Sequence, residues 1–388
     1  MIVFKPTTAV YRGTVSVFNN NIYEFKSDST LQAVEGTVTI ENYSFKIYAL
    51  PSGYFRFNFK EISKELIILN KYRDTFFSNL AFNNINSFTK EQVGGYLVPT
   101  IYFEVKLSDG TIQKTQNQTY FKLIQSLSTL EDYKYSANYG RNFFLLLPIV
   151  NNNMNQYFIK YWKGYPLDFV FFSATNNLQL KSNNETFTFQ RKANLTRLVI
   201  SDGETSLEQI NDQNTNSFIL EAGIKSFKIF ENNISNSQEI IIQTENYCNE
   251  EAIYLKWFNA QGGYSYYLFK NFERSINIKN IGELENNFYD YYDDNFVSPK
   301  LQIGKEIIDK IKVDSDILSD NEFNLLIGIF SSPRVYFFIG TPNTRVQNNK
   351  SWIEVKINTS SLTTRNFKNR PKNIDFVFEL PERDNQTL

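Results

Sequence analysis

The chain has 388 residues, one cysteine, no histidine and a formal net charge of −1. Without histidine it cannot run Ser-His-Asp or Cys-His catalysis, build a His-based zinc site, or shuttle protons through imidazole. The lone Cys248 excludes an internal disulfide and any CxxC motif, and 40 basic against 41 acidic side chains leave no basic stripe of the kind nucleic-acid binders carry.

The opening Met1-Ile2-Val3-Phe4-Lys5 lacks the basic-then-apolar pattern of a secretory signal, and runs such as Phe143 to Val150 and Leu167 to Phe172 are too short to span a bilayer. The expectation is a soluble product made in a cell's cytoplasm, without a membrane span. Asn-x-Ser/Thr matches such as Asn117-Gln118-Thr119 follow from an Asn-rich composition. Cys248, between Tyr247 and Asn249, reads as a small core residue. A single core rarely extends beyond about 250–300 residues, so several domains are expected.

In chain order, alternation with a period of two dominates and marks strands with one buried face. Gly53 to Phe59 sets Phe55, Phe57 and Phe59 on one side, with Tyr54, Arg56 and Asn58 on the other. A short helix is expected over Lys60 to Leu66. Phe103-Glu104-Val105-Lys106-Leu107 alternates and reaches Asp109-Gly110, a pair suited to a type I′ hairpin, with Thr111-Ile112-Gln113 returning. Thr186 to Gln190 behaves in the same way. Ile253 to Phe269 reads as two wholly apolar or aromatic strands around an Asn-Ala-Gln-Gly-Gly turn, covered on both faces. A helix from Asp320 to Phe330 is announced by the capping box Ser319-Asp320-Asn321-Glu322, with Phe323, Leu326, Ile327 and Phe330 on one face and Pro333 ending it. Val335 to Ile339 reads as a buried strand, and Trp352 to Ile357 as an alternating one.

The pattern therefore predicts a mainly β chain of tandem β-sandwich or barrel-like domains with few short helices. Turn-rich zones at Leu127 to Arg141 and Asn232 to Asn249 divide it into an N-terminal β domain (1–135), a middle β domain (136–240) and a C-terminal β-rich domain (241–388) carrying the one short helix.

Chemical candidates are few. Trp257, Tyr264, Tyr266 and Tyr267 have the rings to stack on a sugar or a base, but no polar or basic constellation adjoins them, which favours a hairpin core or a subunit contact. Asp290, Asp293 and Asp294 suggest calcium, yet the segment lacks the EF-hand spacing, its glycine and its terminal glutamate. Glu283, Glu285 and that Asp group are the only local concentration of carboxylates from which glycoside cleavage could draw a pair. Gly304-Lys305 lacks the upstream glycine of a phosphate-binding loop.

Two segments carry a resemblance. Cys248, then Leu255-Lys256-Trp257-Phe258-Asn259-Ala260-Gln261-Gly262-Gly263 and the aromatics Tyr264 to Phe269, form one; Ser332-Pro333-Arg334-Val335-Tyr336 after a short helix forms the other. Together they resemble structural proteins of tailed bacteriophages that infect Bacteroidetes-type hosts, including crAss-like phages. By pattern the likeness covers residues 140 to 388. It implies a non-enzymatic tail or baseplate component of hub or ring type, located in the virion tail, with copies of itself and other virion tail proteins as partners. It implies neither catalytic residue, cofactor nor metal, and no nucleic-acid sequence recognition. On this reading Trp257, Asn259, Gly262, Gly263, Tyr264, Tyr266 and Phe269 are the hairpin and interface residues. The alternative is a receptor- or carbohydrate-binding tail protein, with Trp257 and Tyr264 as exposed platforms.

Overall fold

Alternating aromatic and polar residues, with turns at Gly, Asn and Asp, commit most of the described residues to strands. Among those residues the computed structural model is 60% strand and 9% helical, with two short α-helices, as the mainly-β pattern requires. It describes residues 1–5, 14–69, 88–91, 94–117, 122–127, 143–148, 156–182, 185–200, 221–231, 234–246, 251–285, 300–342, 351–358 and 372–382. The first expected turn-rich zone, Leu127 to Arg141, falls almost wholly outside these residues, whereas the second, Asn232 to Asn249, is mostly strand: Ile234–Glu245 pairs with Gly223–Glu231 and Gln156–Trp162. The chain forms two compact units: Met1–Tyr247 with Phe258–Ser265 and Thr341–Asn349, and Cys248–Trp257 with Tyr266–Gly340 and Lys350–Leu388.

In the first unit, a sheet of Ile2–Phe4, Ile22–Ser27 and Phe55–Asn58 shares a core with a four-stranded sheet of Ile112–Asn117, Ile101–Leu107, Ala33–Ile40 and Tyr43–Ile47. Phe55 and Phe59 point into that core and Arg56 points out. Phe25 and Phe103 meet edge to face at 4.9 Å, and Phe25 stacks on Phe55 at 5.5 Å. The expected helix is present and longer, Lys60–Leu69, and buries Ile62, Leu66 and Ile67. The Ile101–Leu107 hairpin turns as expected, but not by a type I′ turn. Asp109 keeps a negative φ and only Gly110 is left-handed (φ 88°). The Asp109 carboxylate instead accepts from the Thr111 amide (2.9 Å) and hydroxyl (2.8 Å), which holds it below the usual carboxylate range.

Further along the first unit, Phe143–Leu145, Leu167–Ser173, Leu195–Ile200 and Phe88–Glu91 form a sheet, and a five-stranded sheet orders Gln156–Trp162, Ile234–Glu245, Gly223–Glu231, Asn177–Lys181 and Thr186–Gln190. Every residue of Leu167–Ser173 is buried, including Asp168, which pairs with the equally buried Arg197 of the neighbouring strand.

A seven-stranded sheet, most of whose described residues belong to the second unit, runs in the order Tyr264–Phe269, Ile253–Phe258, Val335–Phe338, Trp352–Ile357, Asp375–Glu379, Lys300–Asp314 and Asn271–Glu285. The two end strands are separated in sequence by Lys270 alone, so the two ends of the sheet belong to one run of chain and the sheet curls into a barrel-like circuit. The capping box forms as expected: the Glu322 amide donates to Ser319 Oγ (3.3 Å) and the Ser319 amide to Glu322 Oε2 (2.9 Å). The helix is Asp320–Ile327, and a 3₁₀ turn carries the chain over Gly328–Ser331. Its buried face differs from the expected one. Leu325, Leu326 and Ile329 are inside with Glu322, while Phe323, Ile327 and Phe330 are half-buried. The buried set still follows i, i+3, i+4, i+7 spacing, but its first member is the capping glutamate.

Tyr23 lies fully buried against Phe59 (4.9 Å) and Phe103 (5.8 Å), and burial drives its phenol far above the ordinary tyrosine range. A raised folded-state value means that the stability gained is intact below the unfolded tyrosine value near 10 and is lost as pH rises above it. We expect the denaturation midpoint to fall more steeply between about pH 9.5 and 11.5 in the native chain than in Tyr23→Phe. Equal slopes would show that this phenol does not carry the effect.

Candidate functional site

The aromatic hairpin turns at Asn259, whose side chain is 2% exposed and bonded on both ends. Its Oδ1 accepts from the Gln261 amide (3.1 Å) and the Gly263 amide (3.0 Å). Its Nδ2 donates to the Leu146 carbonyl (3.1 Å) and to Ser265 Oγ (3.2 Å). The Leu127 amide donates to the Ala260 carbonyl at 2.6 Å. Gly262 takes φ 92°, and a Cβ there would stand 2.6 Å from the Gln125 carbonyl oxygen. A Cβ on Gly263 would collide with the Leu146 carbonyl. Asparagine followed by a glycine pair is therefore what lets this turn lie directly against the Gln125 and Leu146 backbone.

The hairpin aromatics are interior. Trp257, Tyr264, Tyr266, Tyr267 and Phe269 are 0–4% exposed. Tyr264 packs on Phe258 (5.7 Å), while Tyr266 lies near Tyr254 (5.9 Å) and Trp352 (6.2 Å). Phe269 meets Phe376 edge to face at 5.5 Å. None of these rings is an exposed stacking platform; the chain's own side chains cover them.

Sequence reasoning missed three buried charges. Asp168 and Arg197 pair across neighbouring strands, and removing either partner would strand the other charge. Lys256, 1% exposed, sets its ammonium 4.4 Å from the Trp352 ring centre and 5.1 Å from that of Tyr336. Leu255-Lys256-Trp257 and Val335-Tyr336 thus meet through a cation between rings. A lysine inside an otherwise apolar strand was the available signal.

Two open grooves lie in the second unit. One, of about 650 Å³, is lined by Ile308, Phe330, Pro333, Val355, Glu354 and Glu379 among others. Glu379 there pairs with Lys310 (3.0 Å) and accepts from Asn358 Nδ2 (2.7 Å). The other, of about 440 Å³, is bordered by Ile276, Ile311, Phe337 and Leu380. Among the described residues no group of three or more Cys, Asp and Glu side chains is placed to hold a metal ion. Cys248 and the Asp290, Asp293 and Asp294 cluster lie outside the described residues. Glu283 is exposed and pairs with Lys300 at 3.2 Å.

The second unit also carries an exposed two-stranded ribbon. Asn271–Glu285 and Lys300–Asp314 pair along 15 residues each, but the third strand, Asp375–Glu379, reaches only Lys310 to Asp314. Beyond that point two strands run on, for about 30 Å, with no further strand beside them among the described residues. Ile276, Ile278, Ile281 and Leu284 are 49–61% exposed. Alternation places Ile276, Ile278 and Ile307, together with Arg274, Asp309 and Lys305, on the face that at the base carries the buried Ile311 and Val313, while Glu273, Lys279, Glu306, Ile308 and Lys312 share the other. No helix of the described residues is long and apolar enough to cross a membrane.

No protein-family model matches the chain, and no curated protein matches it. Among solved structures, the fibronectin(III)-like modules of Clostridium thermocellum CbhA align over 65% of this chain and 97% of theirs, at 8% identity and a TM-score of 0.20. A 1.5-MDa bacterial ice-binding adhesin aligns over 81% of this chain and 92% of its own, at 6% identity and 0.20. An endo-fucoidan hydrolase of glycoside hydrolase family 107 aligns over 78% and 41%, at 9% identity and 0.18. At such TM-scores these likenesses carry no argument.

Asn259→Ala leaves the Leu146 carbonyl and two amides without their partner, and we expect a loss of about 3 kcal/mol in urea unfolding. Gly263→Ala is expected to cost at least as much, because backbone must move. Asn259→Asp is no rescue, since it turns an oxygen toward the Leu146 carbonyl. If Asn259→Ala unfolds within about 0.5 kcal/mol of the native chain, the turn is not held this way.

Proposed function

We propose that the protein is a non-enzymatic structural subunit of a bacteriophage tail, of hub or ring type, that assembles with copies of itself and with other virion tail proteins. The observation that carries the reading is the ribbon Asn271–Glu285 with Lys300–Asp314, whose isoleucines stand more than half exposed at 276 and 278. Two-stranded ribbons are marginal in water, and an apolar face that continues a core outward calls for cover. Obligate subunit interfaces supply such cover, being as apolar as a core cut in half. The phage setting comes from the resemblance of the Leu255 to Phe269 and Ser332 to Tyr336 segments to tail proteins. The structure gives those words a physical role: Asn259, Gly262 and Gly263 shape the turn, while Lys256, Tyr336 and Trp352 pack together.

The test is assembly. Purified chain, alone and mixed with the other tail proteins of the same virion, should form a closed oligomer of cyclic symmetry by light scattering and electron microscopy. A chain that stays monomeric at high concentration and joins no tail component would overturn the reading.

A further inference from the structure

The strand Asn271–Glu285 ends the sheet order, and among the described residues its outer edge pairs with no other strand. An edge that long and free of proline is normally blunted. Here the only lysine on it is Lys279. We infer that this edge pairs, antiparallel, with the same strand of a second copy of the chain, about a two-fold axis through Ile276. The inference goes beyond the tail reading and holds for two free chains or for two rings set back to back.

The register follows from the strand itself. Antiparallel neighbours set directly opposite residues on one face, so only registers that match even with even positions keep the isoleucine faces together. Before the irregularity at Asn280 to Glu283, the strand's charges are Glu273, Arg274 and Lys279. One in-phase register sets opposite charges against each other. It places Glu273 opposite the second copy's Lys279, and Lys279 opposite its Glu273, with Ile276 opposite Ile276. Arg274 then lies beside Ile278, and Ser275 beside Asn277. Centring on Arg274 or Lys279 would instead oppose like charges. Ile276 and Ile278, 61% and 57% exposed in one chain, then form with their counterparts a short apolar patch across the seam, flanked by the two Arg274 side chains. The contact is isologous and closes at two copies.

Charge exchange tests it in the full chain. Glu273→Lys alone, or Lys279→Glu alone, sets like charges opposite twice and should weaken two-fold association about tenfold in sedimentation equilibrium. Mixing the two single variants restores both opposite pairs between chains, although each keeps its altered neighbours within its own ribbon. The mixture should therefore associate at least as tightly as the native chain.

Register is read by cross-linking in a Cys248→Ser background. Ile276→Cys should form an intermolecular disulfide under mild oxidation, because directly opposed residues lie about 5 Å apart. Ile278→Cys should not, since its two copies would be about 13 Å apart. Cross-linking at 278 that matches or exceeds that at 276, no cross-link at either position, or a mixture no tighter than the single variants would each overturn the pairing.

Discussion

Every backbone amide and carbonyl in a strand needs a partner, and a strand at the edge of a sheet has a row of them without one. The second unit meets this demand by curling its sheet until both ends belong to one run of chain, bent at Lys270: Tyr264–Phe269 beside Ile253–Phe258, and Asn271–Glu285 beside Lys300–Asp314. The closure is incomplete because the strands differ in length. Asp375–Glu379 offers five residues to a partner of 15, and the Leu380 amide adds one more bond, to the Asp309 carbonyl at 3.0 Å. What remains outside is a ribbon, and its exposure is a direct consequence of that mismatch.

The same demand explains the turn at Asn259. A turn packed against backbone cannot be solvated, so its amides need a partner from within. Asparagine offers an acceptor and a donor on one short arm, and it satisfies two amides of its own turn while reaching a carbonyl of Leu146. Close approach then forbids side chains at the next tight positions, which is why the pair is Gly262-Gly263. The hairpin, read from its sequence as a core or a subunit contact, is a packing solution with its rings spent on the interior.

Much of this was legible in the sequence. Phe55, Phe57 and Phe59 announced a strand with one buried face, the apolar runs at Ile253 to Phe269 announced strands buried on both, and Ser319 with Glu322 announced a helix start. Where the reading slipped, a polar residue sat in an apolar role. Glu322 heads the buried helical face as well as capping it, so a search for apolar residues slid the face to Phe323. Asp168 and Arg197 vanish into runs of Leu, Phe and Val because their partner is on another strand, and pairing between strands is not written in local order. At Asp109 the side chain bonds Thr111 rather than leaving its backbone to take a left-handed turn. Closure of the circuit depends on registers between segments distant in the chain, such as Leu255 with Phe337 and Ile311 with Phe378, and no local window of sequence contains them.

The ribbon shows the deepest limit of the pattern. Ser275-Ile276-Asn277-Ile278-Lys279 alternates just as Phe103 to Leu107 does, and both sequences ask for one covered face. In Ile101–Leu107 the cover comes from the same chain, and Phe103 and Val105 are fully buried. In Asn271–Glu285 no described element supplies it, and Ile276 and Ile278 stay in water. Alternation records that a face is to be hidden and says nothing about whose atoms hide it. The hairpin rings of Trp257, Tyr264, Tyr266, Tyr267 and Phe269 are covered inside the chain, so between these two segments it is the isoleucines of the ribbon that leave apolar surface exposed.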